Sequence, residues 1–116
     1  MHVIAAALVL LVAALHLYFL ALEMFLWTRP LGLKTFRNTP EKAEATRVLA
    51  ANQGLYNGFL AAGLVYGVAT GSREFCLFFL ACVVVAGLYG AYRVNKRIFF
   101  VQALPALLAI AAVSMA

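Results

Sequence analysis

The chain has 116 residues, of which 66% are hydrophobic and only 11% are charged, and its formal net charge is +5. A soluble globular domain is about half apolar and about a quarter charged, so this composition indicates a membrane protein rather than a water-soluble one. The length accommodates about four spans of roughly 20 residues each, with little left over for a soluble domain. The sequence therefore predicts an all-α bundle of four transmembrane helices, forming a single integral membrane domain over residues 1–116.

The first predicted span covers residues 3–27. Its apolar run is too long for a signal peptide, and Glu23 stands where a small-residue cleavage site would form, so we expect a retained helix. The longest polar stretch follows as a loop over residues 28–46. Within that loop, Thr39 followed by Pro40 is typical of a helix start, with the threonine as N-cap and the proline at the first helical position.

Three further spans follow this loop. They are predicted at residues 47–69, 75–92 and 98–115, separated by a tight turn at residues 70–72 and by a basic connection at residues 93–97. Glycines and alanines recur in them at four-residue spacing, which is typical of helices that pack closely in a membrane. The two cysteines match no metal-binding spacing, and we expect no metal site and small packing residues instead.

Lysine and arginine are distributed unevenly among the connections. They cluster in residues 28–47 and in residues 93–97, whereas Arg73 is the only such residue between the second and third spans. The positive-inside rule then predicts both termini outside and the basic connections in the cytosol of a multi-pass protein. Since no long basic helix is present, we expect membrane lipids rather than nucleic acid as the partner of these charges.

Polar side chains inside the first two predicted spans are candidates for a binding site, because such groups are costly in a membrane. His16 and Glu23 are seven residues apart and lie within about 20° of one helix face. A structural histidine and an interfacial carboxylate are the alternative interpretations. The second span has four hydrogen-bonding side chains over an arc of about 140°, which indicate either a ligand pocket or hydrogen bonding between helices. These are Asn52, Gln53, Tyr56 and Asn57, and Arg47 precedes them.

The last two spans add polar residues at the same predicted cytosolic end. Tyr89, Arg93 and Arg97 form one stripe if the third helix continues that far, and Tyr92 and Gln102 lie near them. The outer halves of the spans are nearly featureless, which argues against a channel through the full membrane thickness. The pattern favours a polar cup that opens to the cytosol, in which arginines can bind an anion.

The run Asn-Gln-Gly-Leu-Tyr-Asn-Gly over residues 52–58, with His16, Glu23 and a C-terminal Leu-Pro, resembles a family of small bacterial four-helix membrane proteins of unknown function. This resemblance implies a location in the bacterial inner membrane. More distantly, the sequence resembles the membrane-associated proteins in eicosanoid and glutathione metabolism (MAPEG), which include microsomal glutathione transferases and prostaglandin E synthase. Three local patterns carry this second resemblance. They are Lys-Thr-Phe-Arg-Asn-Thr-Pro-Glu at residues 34–41, Phe-Leu-x-x-Gly-x-Val-Tyr at 59–66, and Arg93-x-x-x-Arg97 followed by Gln102-x-Leu104-Pro105.

The MAPEG resemblance implies four helices with both termini outside, and glutathione bound near the cytosolic interface between the subunits of a trimer. By this resemblance Arg97 is similar to the arginine that stabilises the thiolate, and Tyr89 or Tyr92 is similar to the tyrosine of the family's third helix. Arg97 and Tyr89 are the candidate catalytic residues. The remaining carried-over ligand residues are Arg47, Asn52, Tyr92 and Arg93. The Arg-x-x-x-Asn-x-x-Glu pattern of the family's second helix is absent here.

Three functions follow as hypotheses. The first is a glutathione-dependent or other thiol-dependent transferase acting on a lipophilic substrate, since a cationic site raises the thiolate fraction of a bound thiol. The second is a non-catalytic protein that binds or transports a lipid or another small molecule. The third is a structural or regulatory membrane subunit. In each case we expect a homo-oligomer, a trimer if the chain is MAPEG-like.

Overall fold

A computed structural model describes residues 1–116 and contains only helices. They are α1 (Val3–Met24), α2 (Pro30–Phe36), α3 (Pro40–Ala45), α4 (Arg47–Thr70), α5 (Arg73–Arg93) and α6 (Leu104–Met115), with a π-helical segment at Phe99–Ala103 before α6. The chain divides into two compact units, which are Met1–Leu15 with Leu60–Ala116, and His16–Phe59. The predicted all-α class is confirmed.

Two of the helices, α1 and α5, are long and apolar enough to cross a membrane. The fourth helix has 24 residues, but Asn52, Gln53 and Asn57 lower its hydropathy. The last apolar stretch, Phe99–Met115, is a shorter apolar helix. Of the four spans that the sequence predicts, two therefore have the length and hydropathy of a membrane crossing, by length and composition only.

The predicted loop over residues 28–46 is folded into two short helices. The first helix, α1, ends at Met24 rather than at residue 27, and a new helix begins at Pro30. The residue before a proline is disfavoured in helical conformation, so a break at this point follows from the sequence. The predicted helix start is confirmed, because the Thr39 side chain accepts a hydrogen bond from the Lys42 backbone N–H at 3.2 Å. That helix ends at Ala45 instead of continuing into α4.

The turn between α4 and α5 lies where the sequence predicts it. Gly71 has a φ of 68°, a left-handed conformation that glycine adopts without steric cost. Ser72 then caps α5, since its hydroxyl accepts a hydrogen bond from the Phe75 backbone N–H at 3.1 Å.

The segment before α6 is a π-helix instead of the α-helix that the sequence predicts from residue 98. Pro105 has no backbone N–H, and its ring collides with the carbonyl four residues earlier in a regular α-helix. A wider turn at Phe99–Ala103 relieves both problems before α6 begins. The physical cause is thus the Leu-Pro pair that ends the π-helical segment.

The first unit has a continuous apolar core to which four helices contribute. Glycines allow this close packing: a Cβ on Gly87 would lie 2.7 Å from the Ala103 backbone nitrogen, and one on Gly63 would lie 2.6 Å from the Phe79 ring. Cys76 is a buried core residue, as expected for a packing cysteine. The buried members of the core are Ala5, Val9, Val12, Ala13, Ala61, Leu64, Cys76, Leu80, Val83, Ala106, Ala109 and Val113.

The second unit is held together around Trp27. Its indole N–H donates a hydrogen bond to the Thr46 hydroxyl oxygen at 3.2 Å, and its ring contacts Phe36 with the ring centroids 4.8 Å apart. The Thr46 hydroxyl in turn donates to the Lys42 carbonyl oxygen at 2.8 Å. These contacts join the end of α2 to the end of α3, so the connection between α1 and α4 has a defined structure.

Candidate functional site

Seven of the predicted site residues belong to the second unit, and two of them are in direct contact. Asn57 donates its side-chain N–H to the Glu23 carboxylate at 2.5 Å, although the two residues are 34 positions apart in the chain. Asn57 is only 7% exposed. The α1 carboxylate and one amide of the polar run on α4 are therefore in direct contact.

Two glycines on α4 explain how Asn57 reaches Glu23. A Cβ on Gly54 would lie 2.6 Å from Met24 Cγ and 3.1 Å from Glu23 Cβ, and one on Gly58 would lie 2.7 Å from Leu20 Cδ1. Because these positions carry no side chain, α1 and α4 approach each other closely on either side of the pair. The small-residue spacing seen in the sequence thus positions the polar contact.

His16 is completely buried in the same stretch of α1. Its ring makes an edge contact with Phe19, with the centroids 5.1 Å apart. At about 1.5 Å per residue, His16 lies roughly 10 Å from Glu23 along the helix axis. The histidine is therefore an interior residue, as both interpretations of it require.

The polar run of α4 is divided by its burial. Asn57 is buried, whereas Asn52 and Gln53 are exposed and Tyr56 is 55% exposed, with its ring in edge contact with Phe59. The 140° arc is wide enough for one end to face inward while the other faces outward. Asn57 thus faces α1, where it contacts Glu23, and the other three side chains lie on the outer surface of this chain.

Arg47 is also exposed, and its charge is matched locally. Its guanidinium Nε donates a hydrogen bond to the Glu44 carboxylate at 3.3 Å, one turn earlier in the chain. Arg47 consequently forms an exposed ion pair at the start of α4 and is not a contact of the Glu23–Asn57 pair.

The other predicted site residues belong to the first unit. Tyr89, Tyr92 and Arg93 lie in the last two turns of α5 and are exposed, and Gln102 lies half-buried in the π-helical segment. The stripe from Tyr89 to Arg93 does not continue to Arg97, because α5 ends at Arg93. Arg97 follows a turn in which its backbone N–H donates to Asn95 Oδ1 at 2.9 Å.

Chemically, the Glu23–Asn57 pair offers hydrogen-bond acceptors. The Asn57 N–H occupies one carboxylate oxygen of Glu23, while the second carboxylate oxygen and the Asn57 carbonyl oxygen carry lone pairs that accept further donors. An acceptor that is removed from water without a hydrogen bond is costly, so these oxygens favour a ligand that donates one. The arrangement is thus suited to a hydroxyl or a protonated amine rather than to an anion.

Sequence reasoning missed the part of the second unit that surrounds Trp27. The signal was present, because Pro30 and the Thr39-Pro40 pair both mark helix starts inside the predicted loop. What the sequence does not reveal is that Trp27 bridges Phe36 and Thr46, since those contacts depend on how the two short helices fold back.

Comparison with known proteins gives two matches over nearly the whole chain. The model of a family described as "Protein of unknown function (DUF1304)" matches residues 10–114. The "Uncharacterized protein YpaA" of Lactococcus lactis subsp. lactis (strain IL1403) is 32% identical over 114 residues, covering 95% of this chain and 96% of the relative. No solved structure matches significantly.

Proposed function

Because the chain belongs to the DUF1304 family of proteins of unknown function, we propose its function from the site itself: it is a multi-pass membrane protein that binds a lipophilic small molecule with a hydrogen-bond-donating head group. The observation that carries this proposal is the hydrogen bond between Asn57 on α4 and Glu23 on the apolar helix α1. A half-buried carboxylate that is bonded to a buried amide within membrane helices is typical of a functional site.

The membrane placement of this proposal has four crossings, with both termini outside and the basic connections in the cytosol. The apolar lengths of α1 and α5 support it. The core of the first unit, shared by residues of α1, α4, α5 and α6, also supports it, because these are the helices that would cross together. The uneven distribution of lysine and arginine gives the orientation.

The chemistry of the pair gives the class of ligand. The second carboxylate oxygen of Glu23 and the side-chain carbonyl oxygen of Asn57 both accept hydrogen bonds. A long-chain amine or alcohol presents a hydrogen-bond donor at the end of an apolar tail. Such a ligand reaches the site from the bilayer, so its tail stays in lipid while its head group meets the carboxylate. A charge-assisted hydrogen bond of this kind contributes about 1.5–3 kcal/mol.

Photolabelling tests the proposal directly. A photoactivatable long-chain primary amine should label the purified, lipid-reconstituted protein saturably, with the modified residues on α1 and α4 near Glu23. Labelling should fall about tenfold or more in Glu23→Gln, which keeps the shape and removes the charge. The matched control is Glu74→Gln in the first turn of α5, which should label like the wild type. Equal labelling of the wild type and Glu23→Gln would refute this function.

A glutathione-dependent transferase is the second candidate, and one observation favours it. Arg93 and Arg97 are both exposed and cationic, with Tyr89 and Tyr92 exposed nearby in sequence, which suits recognition of an anionic thiol. In this version glutathione is the co-substrate and Arg97 stabilises its thiolate. Saturable glutathione binding that is lost in Arg97→Gln and retained in Arg73→Gln would establish it, and binding that is insensitive to Arg97 would exclude it.

The exposed side of α4 supports a homo-oligomer as part of the proposal. Asn52, Gln53 and Tyr56 would face lipid in a single chain, and uncompensated amides in lipid are costly. Amide side chains both donate and accept, so copies of the same face can pair with one another. Cross-linking of the wild type in lipid discs, compared with an Asn52→Leu, Gln53→Leu double variant, should show oligomers that the variant loses.

A further inference from the structure

We propose that α2 and the two residues that flank it form a binding surface for anionic phospholipid head groups. We define this α2 surface as Arg29, Leu31, Lys34, Phe36 and Arg37, all of which are exposed. The proposal rests on the membrane placement given above and is independent of the ligand at Glu23.

The charge of the α2 surface has one sign. Arg29, Lys34 and Arg37 are exposed, and no acidic residue occurs between positions 28 and 40. Arg29 and Arg37 flank the seven-residue helix that carries Lys34, so at about 1.5 Å per residue the backbone positions of the three cations fall within roughly 12 Å along its axis. A compact, unbalanced positive surface next to a membrane is complementary to anionic head groups.

The neighbouring short helix differs in this respect. In α3, Lys42 is accompanied by Glu41 and Glu44, and Glu44 also pairs with Arg47 at 3.3 Å. Its charges are therefore balanced within a single turn or two. The contrast assigns the lipid-binding role to α2 and not to the whole connection between α1 and α4.

Apolar side chains on the α2 surface complement its charges. Leu31 is 47% exposed and Phe36 is 37% exposed. Gly32, which follows Leu31, is buried so tightly that a Cβ there would collide with the Leu26 carbonyl oxygen. The helix is thus fixed through Gly32 and through the contact of the Phe36 ring with Trp27, and it presents Leu31 and the exposed part of Phe36 beside the cations, as amphipathic interfacial helices do.

Arg37 gives an independent indication. It has a φ of 54° and a ψ of 42°, and it is the only residue other than glycine with a positive φ in the chain. It ends α2 in the position that glycine fills most easily, with the Asn38 backbone N–H donating to the Leu33 carbonyl oxygen at 3.0 Å. An arginine in this strained conformation is explained if its guanidinium has a role that glycine cannot supply.

The test measures binding of phosphatidylglycerol and phosphatidylcholine to the full-length protein in neutral maltoside micelles, by native mass spectrometry and by thermal unfolding. We expect the wild type to bind phosphatidylglycerol at least threefold more tightly than phosphatidylcholine. Arg37→Gly should lose most of this preference while its unfolding temperature without lipid stays equal to or above that of the wild type. Lys34→Gln should weaken the preference about twofold, and Arg73→Gln should leave it unchanged.

Three results would overturn the proposal. They are equal binding of the two lipids, an unchanged preference in both Arg37→Gly and Lys34→Gln, and stabilisation by inorganic phosphate equal to that by phosphatidylglycerol. The last result would assign the site to a soluble anion. If the chain does not lie in a membrane at all, it will be recovered in solution without detergent. That result distinguishes failure of the membrane placement from failure of the α2 proposal.

Discussion

Asn57 on α4 donates a hydrogen bond to the Glu23 carboxylate on α1, and the glycines at 54 and 58 bring the two helices close enough for it. Each of these polar groups is costly to remove from water, and each satisfies part of the other's hydrogen-bonding capacity. The contact therefore stabilises the second unit and at the same time leaves acceptors for a ligand.

Replacing Asn57 with leucine should lower the free energy of unfolding by about 1–3 kcal/mol, because the Glu23 carboxyl loses its donor in a half-buried position. Unfolding in micelles by increasing fractions of denaturing detergent measures this. The double variant Asn57→Leu, Glu23→Leu should lose less stability than the two single variants added together, since it leaves no orphaned partner. Additive losses would show that the two side chains are not coupled.

Gly87→Ala should destabilise the first unit by about 1–3 kcal/mol through overpacking, because the new methyl group would lie 2.7 Å from the Ala103 backbone nitrogen, which cannot move aside. Gly58→Ala is the matched comparison, since its methyl group would meet only the terminal Cδ1 of Leu20 at 2.7 Å. That leucine can rotate, and the better helix propensity of alanine offsets part of the cost by up to about 1 kcal/mol. An equal or larger loss in Gly58→Ala, measured by the same unfolding assay, would contradict this packing.

Trp27→Phe should loosen the connection between α1 and α4 while keeping an aromatic ring against Phe36. The variant loses the hydrogen bond to Thr46, a loss of about 0.5–1.5 kcal/mol, so trypsin should cleave after Lys34 and Arg37 roughly two- to tenfold faster. Thr46→Val removes the same bond from the other side and should act similarly. The double variant should be cleaved no faster than the more sensitive single variant, and additive acceleration would argue against a shared bond.

Cysteine labelling tests the four crossings. In a background with Cys76→Ala and Cys82→Ala, a membrane-impermeant maleimide applied to intact spheroplasts should label Glu74→Cys but not Thr35→Cys or Lys96→Cys. All three positions are exposed on the chain, so permeabilised membranes should label each of them. Labelling of Lys96→Cys but not Thr35→Cys from outside would require a different number of crossings, and labelling of both would reverse the orientation.

The sequence predicts those features of the fold that depend on a single local pattern. Apolar runs gave the long helices, and proline, threonine and glycine gave the breaks at Thr39-Pro40 and at Gly71. The site was only partly predictable, because the 140° arc on α4 does not reveal which end faces inward; the packing of Gly54 against α1 determines that. The π-helical segment before Pro105 was not predictable either. Hydrophobic periodicity does not indicate how the backbone relieves the clash of the proline ring with the preceding turn.

We propose above that Glu23, held by Asn57, recognises a donor head group on a lipophilic molecule. Equilibrium dialysis of radiolabelled octylamine and octanoate against the protein in zwitterionic lipid discs, with empty discs as the baseline, measures this recognition. We expect saturable octylamine binding by the wild type, at least tenfold tighter than octanoate binding, with the difference abolished in Glu23→Gln. Octanoate bound as tightly as octylamine, or a preference for octylamine that survives in Glu23→Gln, would contradict it.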